Sequence, residues 1–64
     1  MQINGKEMDI PAGISISVLL EKLNLGKKSL VVVVNEEVVP KDKYSGTILN
    51  PGDRVELVDF VGGG

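Results

Sequence analysis

The sequence predicts an α+β domain in which a mixed sheet of four to five strands wraps around a single helix. Three observations carry this expectation. An Asn4-Gly5 pair stands between two extended segments, the strongest short-range signal for a hairpin. One apolar stripe at helical spacing follows, made by Ile16, Leu19, Leu20 and Leu23. The chain then returns to β-branched sequence at Leu30–Val34 and again from Arg54 to about Phe60.

Taken in order, Met1–Asn4 and Lys6–Ile10 are the arms of the first hairpin, because Asn and Gly both tolerate the positive φ of a type I′ turn. Pro11-Ala12-Gly13 breaks the second arm. Ser15 can cap a helix through its hydroxyl. The apolar stripe that follows makes a helix of roughly ten residues, ending at Gly26 as a C-terminal stop. Glu21 and Lys22 fall off the stripe. So short a helix is unstable alone and must lie on a sheet. Leu30–Val34 is apolar on both parities, which suits an inner strand with both faces at least partly covered. Asn35-Glu36 turns the chain into Glu37-Val38-Val39, and Pro40 ends that short strand. Lys41–Thr47 is polar and irregular, with room for one helical turn. Asn50-Pro51-Gly52-Asp53 is a turn, Pro fixing φ and Gly supplying a positive φ. A hairpin, one helix and a return to sheet in so few residues give a β-grasp, ubiquitin-like arrangement, with the first and last strands parallel in the middle. Ile3, Ile16, Leu19, Leu20, Leu23, Val55 and Leu57 form the expected core.

The composition narrows the chemistry. Sixty-four residues make one domain, and with no Cys, aliphatic packing alone must hold it. There is no Cys and no His, so the usual thiol nucleophile, the imidazole acid/base and the best transition-metal ligands are missing. The net charge of −2 argues against nucleic acid. Lys27-Lys28 and the Lys41/Lys43 pair are ordinary solvated lysines, too few for a phosphate-tracking surface. The first residues lack the features of a signal peptide. The longest aliphatic run, Leu30–Val34, is far short of a membrane span. A cytoplasmic protein is expected.

The sequence closes on Gly62-Gly63-Gly64, directly after a strand-like run. Glycine has no side chain to bury and loses the most freedom on ordering, so this run does nothing for a core. It can thread a narrow slot and present the Gly64 α-carboxylate inside another protein. The alternative is an ordinary frayed end. Residues 1–61 are read as the β-grasp domain and 62–64 as a flexible tail. On the last strand, Val55 and Leu57 share one parity with Asp59, while Arg54, Glu56, Val58 and Phe60 share the other. If Val55 and Leu57 face the helix, Val58 and Phe60 make an apolar patch beside the tail, either a docking surface or a fold-over of the sheet edge into the core.

At Gly52-Asp53-Arg54-Val55-Glu56-Leu57-Val58 and Phe60-Val61-Gly62-Gly63-Gly64 the chain resembles the ThiS-type sulfur carrier proteins of thiamine biosynthesis. Val34-Asn35-Glu36-Glu37-Val38-Val39-Pro40 and Gly13, Ser15-Ile16, Leu19-Leu20 carry the same resemblance. Two positions depart from it: Glu36 stands where the family often has Gly, and Tyr44 where it often has Trp. The resemblance implies a β-grasp carrier rather than an enzyme. In such a carrier an E1-like, ThiF-type adenylating enzyme uses ATP and magnesium to convert the Gly64 carboxylate to an acyl-adenylate. Sulfur from a cysteine-derived persulfide then displaces AMP, and the thiocarboxylate passes its sulfur to thiazole synthase. The carrier binds no cofactor itself. An α-carboxylate is ionised at neutral pH and is a poor electrophile, so adenylation supplies the missing leaving group. Gly64 is the reacting residue in this reading; Val58, Phe60, Val61, Gly62 and Gly63 meet the partners.

Three alternatives stay open on the sequence. A molybdopterin synthase small subunit has the same fold and tail chemistry, though its members are usually longer. A plain β-grasp interaction module with a frayed tail is the second. An enzyme using Asp53, Glu56 or Asp59 as acid, base or metal ligand is the third, and carboxylates on a sheet and its turns are far more often simply solvated.

Overall fold

Two asparagine turns define the two hairpins. Asn4 (φ 51°) and Gly5 (φ 80°) lie in the left-handed region, as a type I′ turn requires, and join β1 (Gln2–Ile3) to β2 (Lys6–Glu7) with Ile3 opposite Lys6. Asn35 (φ 49°) and Glu36 (φ 71°) repeat the geometry between β3 (Leu30–Val34) and β4 (Glu37–Val39), with Val34 opposite Glu37. The structure, a computed structural model, describes residues 1–26 and 30–59. Both arms of the first hairpin are shorter than the sequence suggests, since the chain leaves the ladder before Asp9, Ile10 and Pro11.

Ser15 caps the helix α1 (Ile16–Lys22), its Oγ accepting from the Val18 amide at 3.2 Å. The helix is seven residues long, not ten. It ends at Asn24, not Gly26: Asn24 takes φ 58°, the Leu25 amide donates to the Leu20 carbonyl at 2.7 Å, and the Asn24 amide donates to that of Glu21 at 3.1 Å. This is the paired bonding of a Schellman stop, and it turns Leu25 back against the core. Asn can hold the left-handed position, so no glycine is needed.

After a single 3-10 turn at Lys41–Lys43, the chain pairs Leu49 with the segment just before the helix. The Leu49 amide donates to the Ile14 carbonyl at 2.8 Å and the Gly13 amide to the Leu49 carbonyl at 2.7 Å. The Asn50–Asp53 turn closes with the Asp53 amide donating to the Asn50 carbonyl at 3.1 Å, with Gly52 at φ 86°. It delivers β5 (Arg54–Asp59) to the centre of the sheet.

The sheet order is β2-β1-β5-β3-β4. β5 runs parallel to β1, with Ile3 beside Val55, and antiparallel to β3, from Val34 opposite Val55 to Leu30 opposite Asp59. One mixed five-stranded sheet grips one helix, which is the β-grasp fold. Its core is Ile3, Ile16, Leu19, Leu20, Val32, Leu49 and Val55. Fully burying side chains of this size contributes about 1.5–3 kcal/mol each, and this packing stabilises a helix too short to persist alone. Two expected core members, Leu23 and Leu57, pack against the cluster but remain partly exposed. Leu23 sits at the helix end and Leu57 lies beyond the last pairing of β1 with β5. Val32 and Leu49 are fully buried in their place.

Candidate functional site

β5 alternates as a half-buried strand should. Val55 is buried and Leu57 half-buried on the helix side, while Arg54, Glu56 and Val58 are exposed on the other. That second face carries no covering layer among the described residues. Val58, 49% exposed, stands opposite Val31 on β3. Val33, two residues on, stands opposite Val38 on β4, which is 67% exposed. Val31, Val33, Val38 and Val58 therefore share the open face as an apolar strip across three strands. Sequence reading found only Val58. The both-parity apolar run Leu30–Val34 was the available signal for the rest: Val31 and Val33 are half-covered by neighbours on their own face, not by a second layer. Further along this face the surface turns polar, where Gln2, Gly5, Glu36, Arg54 and Glu56 line a shallow depression.

The end of β5 is where the sequence places the reactive tail. Among the expected partner-contacting residues, Val58 lies in the described structure, exposed beside Val31. Phe60, Val61, Gly62, Gly63 and the proposed reacting residue Gly64 lie outside the described residues, as does the boundary between domain and tail. From chain geometry alone, the five residues 60–64 can span at most roughly 17 Å, so a carboxylate at Gly64 cannot act far from the end of β5.

β5 is held on both edges by asparagines. On each edge the asparagine amide makes a ladder bond, and its side-chain Oδ1 takes the bond that its own carbonyl would accept in a continuing strand. On the β1 side the Asn4 amide donates to the Val55 carbonyl at 2.9 Å, and the Leu57 amide donates to Asn4 Oδ1 at 2.7 Å. On the β3 side the Asn35 amide donates to the Arg54 carbonyl at 2.8 Å, and the Arg54 amide donates to Asn35 Oδ1 at 2.9 Å.

The other candidate residues are dispersed. Asp53 is occupied in its turn, accepting from Asn35 Nδ2 at 3.0 Å and from the Asn50 amide at 2.7 Å. Glu56 is exposed on the open face. The Asp59 side chain and Lys27-Lys28 lie outside the described residues. No three Asp or Glu side chains among the described residues come together as a metal-binding group. Lys41 and Lys43 are exposed on the 3-10 turn. Tyr44 is half-buried, and its hydroxyl is tied down rather than free at the surface, donating to the Leu30 carbonyl at 3.3 Å. Among the described residues no helix is long and apolar enough to cross a membrane.

Fold and site together define a β-grasp protein with one sheet face left open among the described residues and, in sequence, a run of glycines after β5. The profile of the ThiS family matches residues 1–64. The chain is 35% identical over 65 residues to the sulfur carrier protein ThiS of Bacillus subtilis, covering 100% of this chain and 98% of that one. It superposes on the crystal structure of the thiamine biosynthesis protein ThiS from Geobacter metallireducens with a TM-score of 0.79, at 29% identity, covering 98% of this chain and 96% of the other. It is also 39% identical over 62 residues to a thiazole synthase of Paramagnetospirillum magneticum, where the match takes in 97% of this chain and 19% of that larger protein. The chain belongs to the ThiS family. Membership gives it a sulfur-carrier role in thiamine biosynthesis, not that of a catalyst.

Proposed function

We propose that the chain carries sulfur as a thiocarboxylate on Gly64 and delivers it to a thiazole synthase. The observation that carries this reading is the match of the whole chain to the sulfur carriers, with Gly62-Gly63-Gly64 following β5 in sequence. A ThiF-type, E1-like enzyme, using its own ATP and magnesium, adenylates the Gly64 carboxylate with release of pyrophosphate. The terminal sulfur of a cysteine-derived persulfide attacks the acyl carbon and AMP leaves. A thiol then cleaves the acyl disulfide, becoming oxidised to a disulfide and freeing the thiocarboxylate. Residues 1–61 are the docking body and 62–64 the tail that enters the partner. Val58, Phe60, Val61, Gly62 and Gly63 make the contacts nearest the reacting carboxylate. The segment similar to this chain within a larger thiazole synthase supports that enzyme as the acceptor. The reaction belongs in the cytoplasm, where ATP and persulfide donors are at hand.

Intact mass after incubation with a ThiF-type enzyme, ATP, magnesium and a persulfide source tests the proposal. The chain should gain the mass difference between sulfur and oxygen, and a variant lacking Gly63-Gly64 should gain nothing. An unchanged mass, under conditions that convert the Bacillus subtilis carrier, overturns it.

A further inference from the structure

We infer that Asn4 is a positioning residue for the tail chemistry, although it lies 60 residues before Gly64 in sequence. The inference rests on the carrier reading above. β1 leaves the sheet at Ile3, and its last pairing with β5 is Ile3 beside Val55. Beyond that point no strand among the described residues lies beside the β1-side edge of β5. The Asn4 backbone turns away at φ 51°, and its side chain supplies the carbonyl that the strand no longer offers. The 2.7 Å bond from the Leu57 amide to Asn4 Oδ1 prolongs the parallel ladder by one step, to within three residues of Phe60.

This bond controls direction more than cohesion. β3 already holds the other edge of β5 as far as Leu30 opposite Asp59. A strand bonded on one edge is free to twist and fray about that edge. A strand bonded on both leaves the sheet along a fixed line. The tail follows Asp59 in sequence, so the direction of this strand end sets the point from which it starts. Ordering that direction costs binding free energy if the free protein has not already fixed it. Asn also suits the two demands of the site, a left-handed backbone and a side-chain acceptor. Gly meets only the first. Asp meets both.

The test compares Asn4→Gly and Asn4→Asp in the full chain, using pyrophosphate exchange by a ThiF-type enzyme at a temperature where circular dichroism shows each variant folded. Asn4→Gly should raise the KM for the carrier roughly three- to tenfold, with kcat within about twofold, and should expose the Leu57 amide to faster hydrogen exchange. Asn4→Asp should restore both. An unchanged KM in folded Asn4→Gly overturns the inference, as does an Asn4→Asp that behaves like Asn4→Gly. If Asn4→Gly does not fold, an amide-to-ester replacement at Leu57 by total synthesis removes the donor and leaves the turn intact, and the same KM comparison decides. A wild-type chain inert to the enzyme overturns the carrier reading and this inference with it, whereas an active wild type with an indifferent Asn4→Gly overturns this inference alone.

Discussion

Asn35 and Asp53 join two turns that are far apart in sequence. Asn35 Nδ2 donates to Asp53 Oδ1 at 3.0 Å, while Asp53 Oδ2 accepts from the Asn50 amide at 2.7 Å and Asn35 Oδ1 accepts from the Arg54 amide at 2.9 Å. Two short side chains thus bind the β3–β4 turn to the turn that launches β5. The entry of β5 into the sheet is thereby set where it pairs with β3, and the pairing of Val55 with Val34 follows from it.

Asn35→Gly keeps the left-handed backbone and deletes both side-chain bonds. Net hydrogen bonds contribute about 0.5–1.5 kcal/mol each, and these lie at the surface. The variant should lose about 1–2 kcal/mol in urea unfolding, which for so small a domain lowers Tm by several degrees. An unchanged midpoint would show that the two turns hold their places without the link.

Glu36 presents the opposite case. Its φ of 71° belongs to glycine territory, and a non-glycine residue there costs about 1–2 kcal/mol. Its compensation is slight: Arg54 lies 3.9 Å away and both side chains are largely exposed, a pairing of little worth in water. Glu36→Gly should raise stability by about 0.5–1 kcal/mol after the extra freedom of the unfolded chain is counted. Glu36→Ala, which keeps the strain and loses the ion pair, should gain nothing. A stabilised Ala variant would mean that charge, not backbone, is the cost at this position.

The strands, the helix stripe and both hairpin turns are legible in the sequence because each is a local pattern: β-branched runs, the spacing of Ile16, Leu19, Leu20 and Leu23, and residues that tolerate positive φ. Leu49 is not legible. It stands alone in a polar stretch beside Ile48, and only its bonding to Gly13 and Ile14 turns it inward and leaves Ile48 half-exposed. Asn24 is overlooked because Gly26 is the stronger textual stop, whereas the fold prefers the position from which Leu25 reaches the core. Asn4 reads as a turn former, and so it is. Its second role depends on Leu57, 53 residues away, and no local pattern reports a partner that distant. The open face is half legible: alternation on β5 exposes Val58, but the neighbours that make it a strip are set by register with β3 and β4.

Leu49 therefore offers a sharp test of the core. It is fully buried although it belongs to neither helix nor strand. Leu49→Ala should cost about 2–5 kcal/mol, the range for truncating a buried leucine, and so large a loss can unfold a domain of this size. A cost below about 1 kcal/mol would mean that the Thr47–Asn50 segment relaxes into the gap and that the segment is not an integral wall of the core.

Val58 tests the open face. It is half-exposed and lies across from Val31, one residue before the end of β5, so on the proposed carrier reading a partner that receives Gly64 must cover it or pass beside it. Val58→Lys should leave the domain folded. The lysine stem can lie along Val31 and keep the strip covered while its charge reaches water, so Tm should move by no more than a few degrees. The same charge would have to be desolvated under a docked partner. Affinity for the ThiF-type enzyme, measured by titration calorimetry, should fall by more than about 1 kcal/mol, or roughly fivefold in Kd. Normal binding by a folded Val58→Lys would move the docking surface off this face. The tail's short reach would then require the partner to approach from the helix side, where Leu57 and Leu30, the latter opposite Asp59, are partly exposed and line one depression with Leu23 and Leu25.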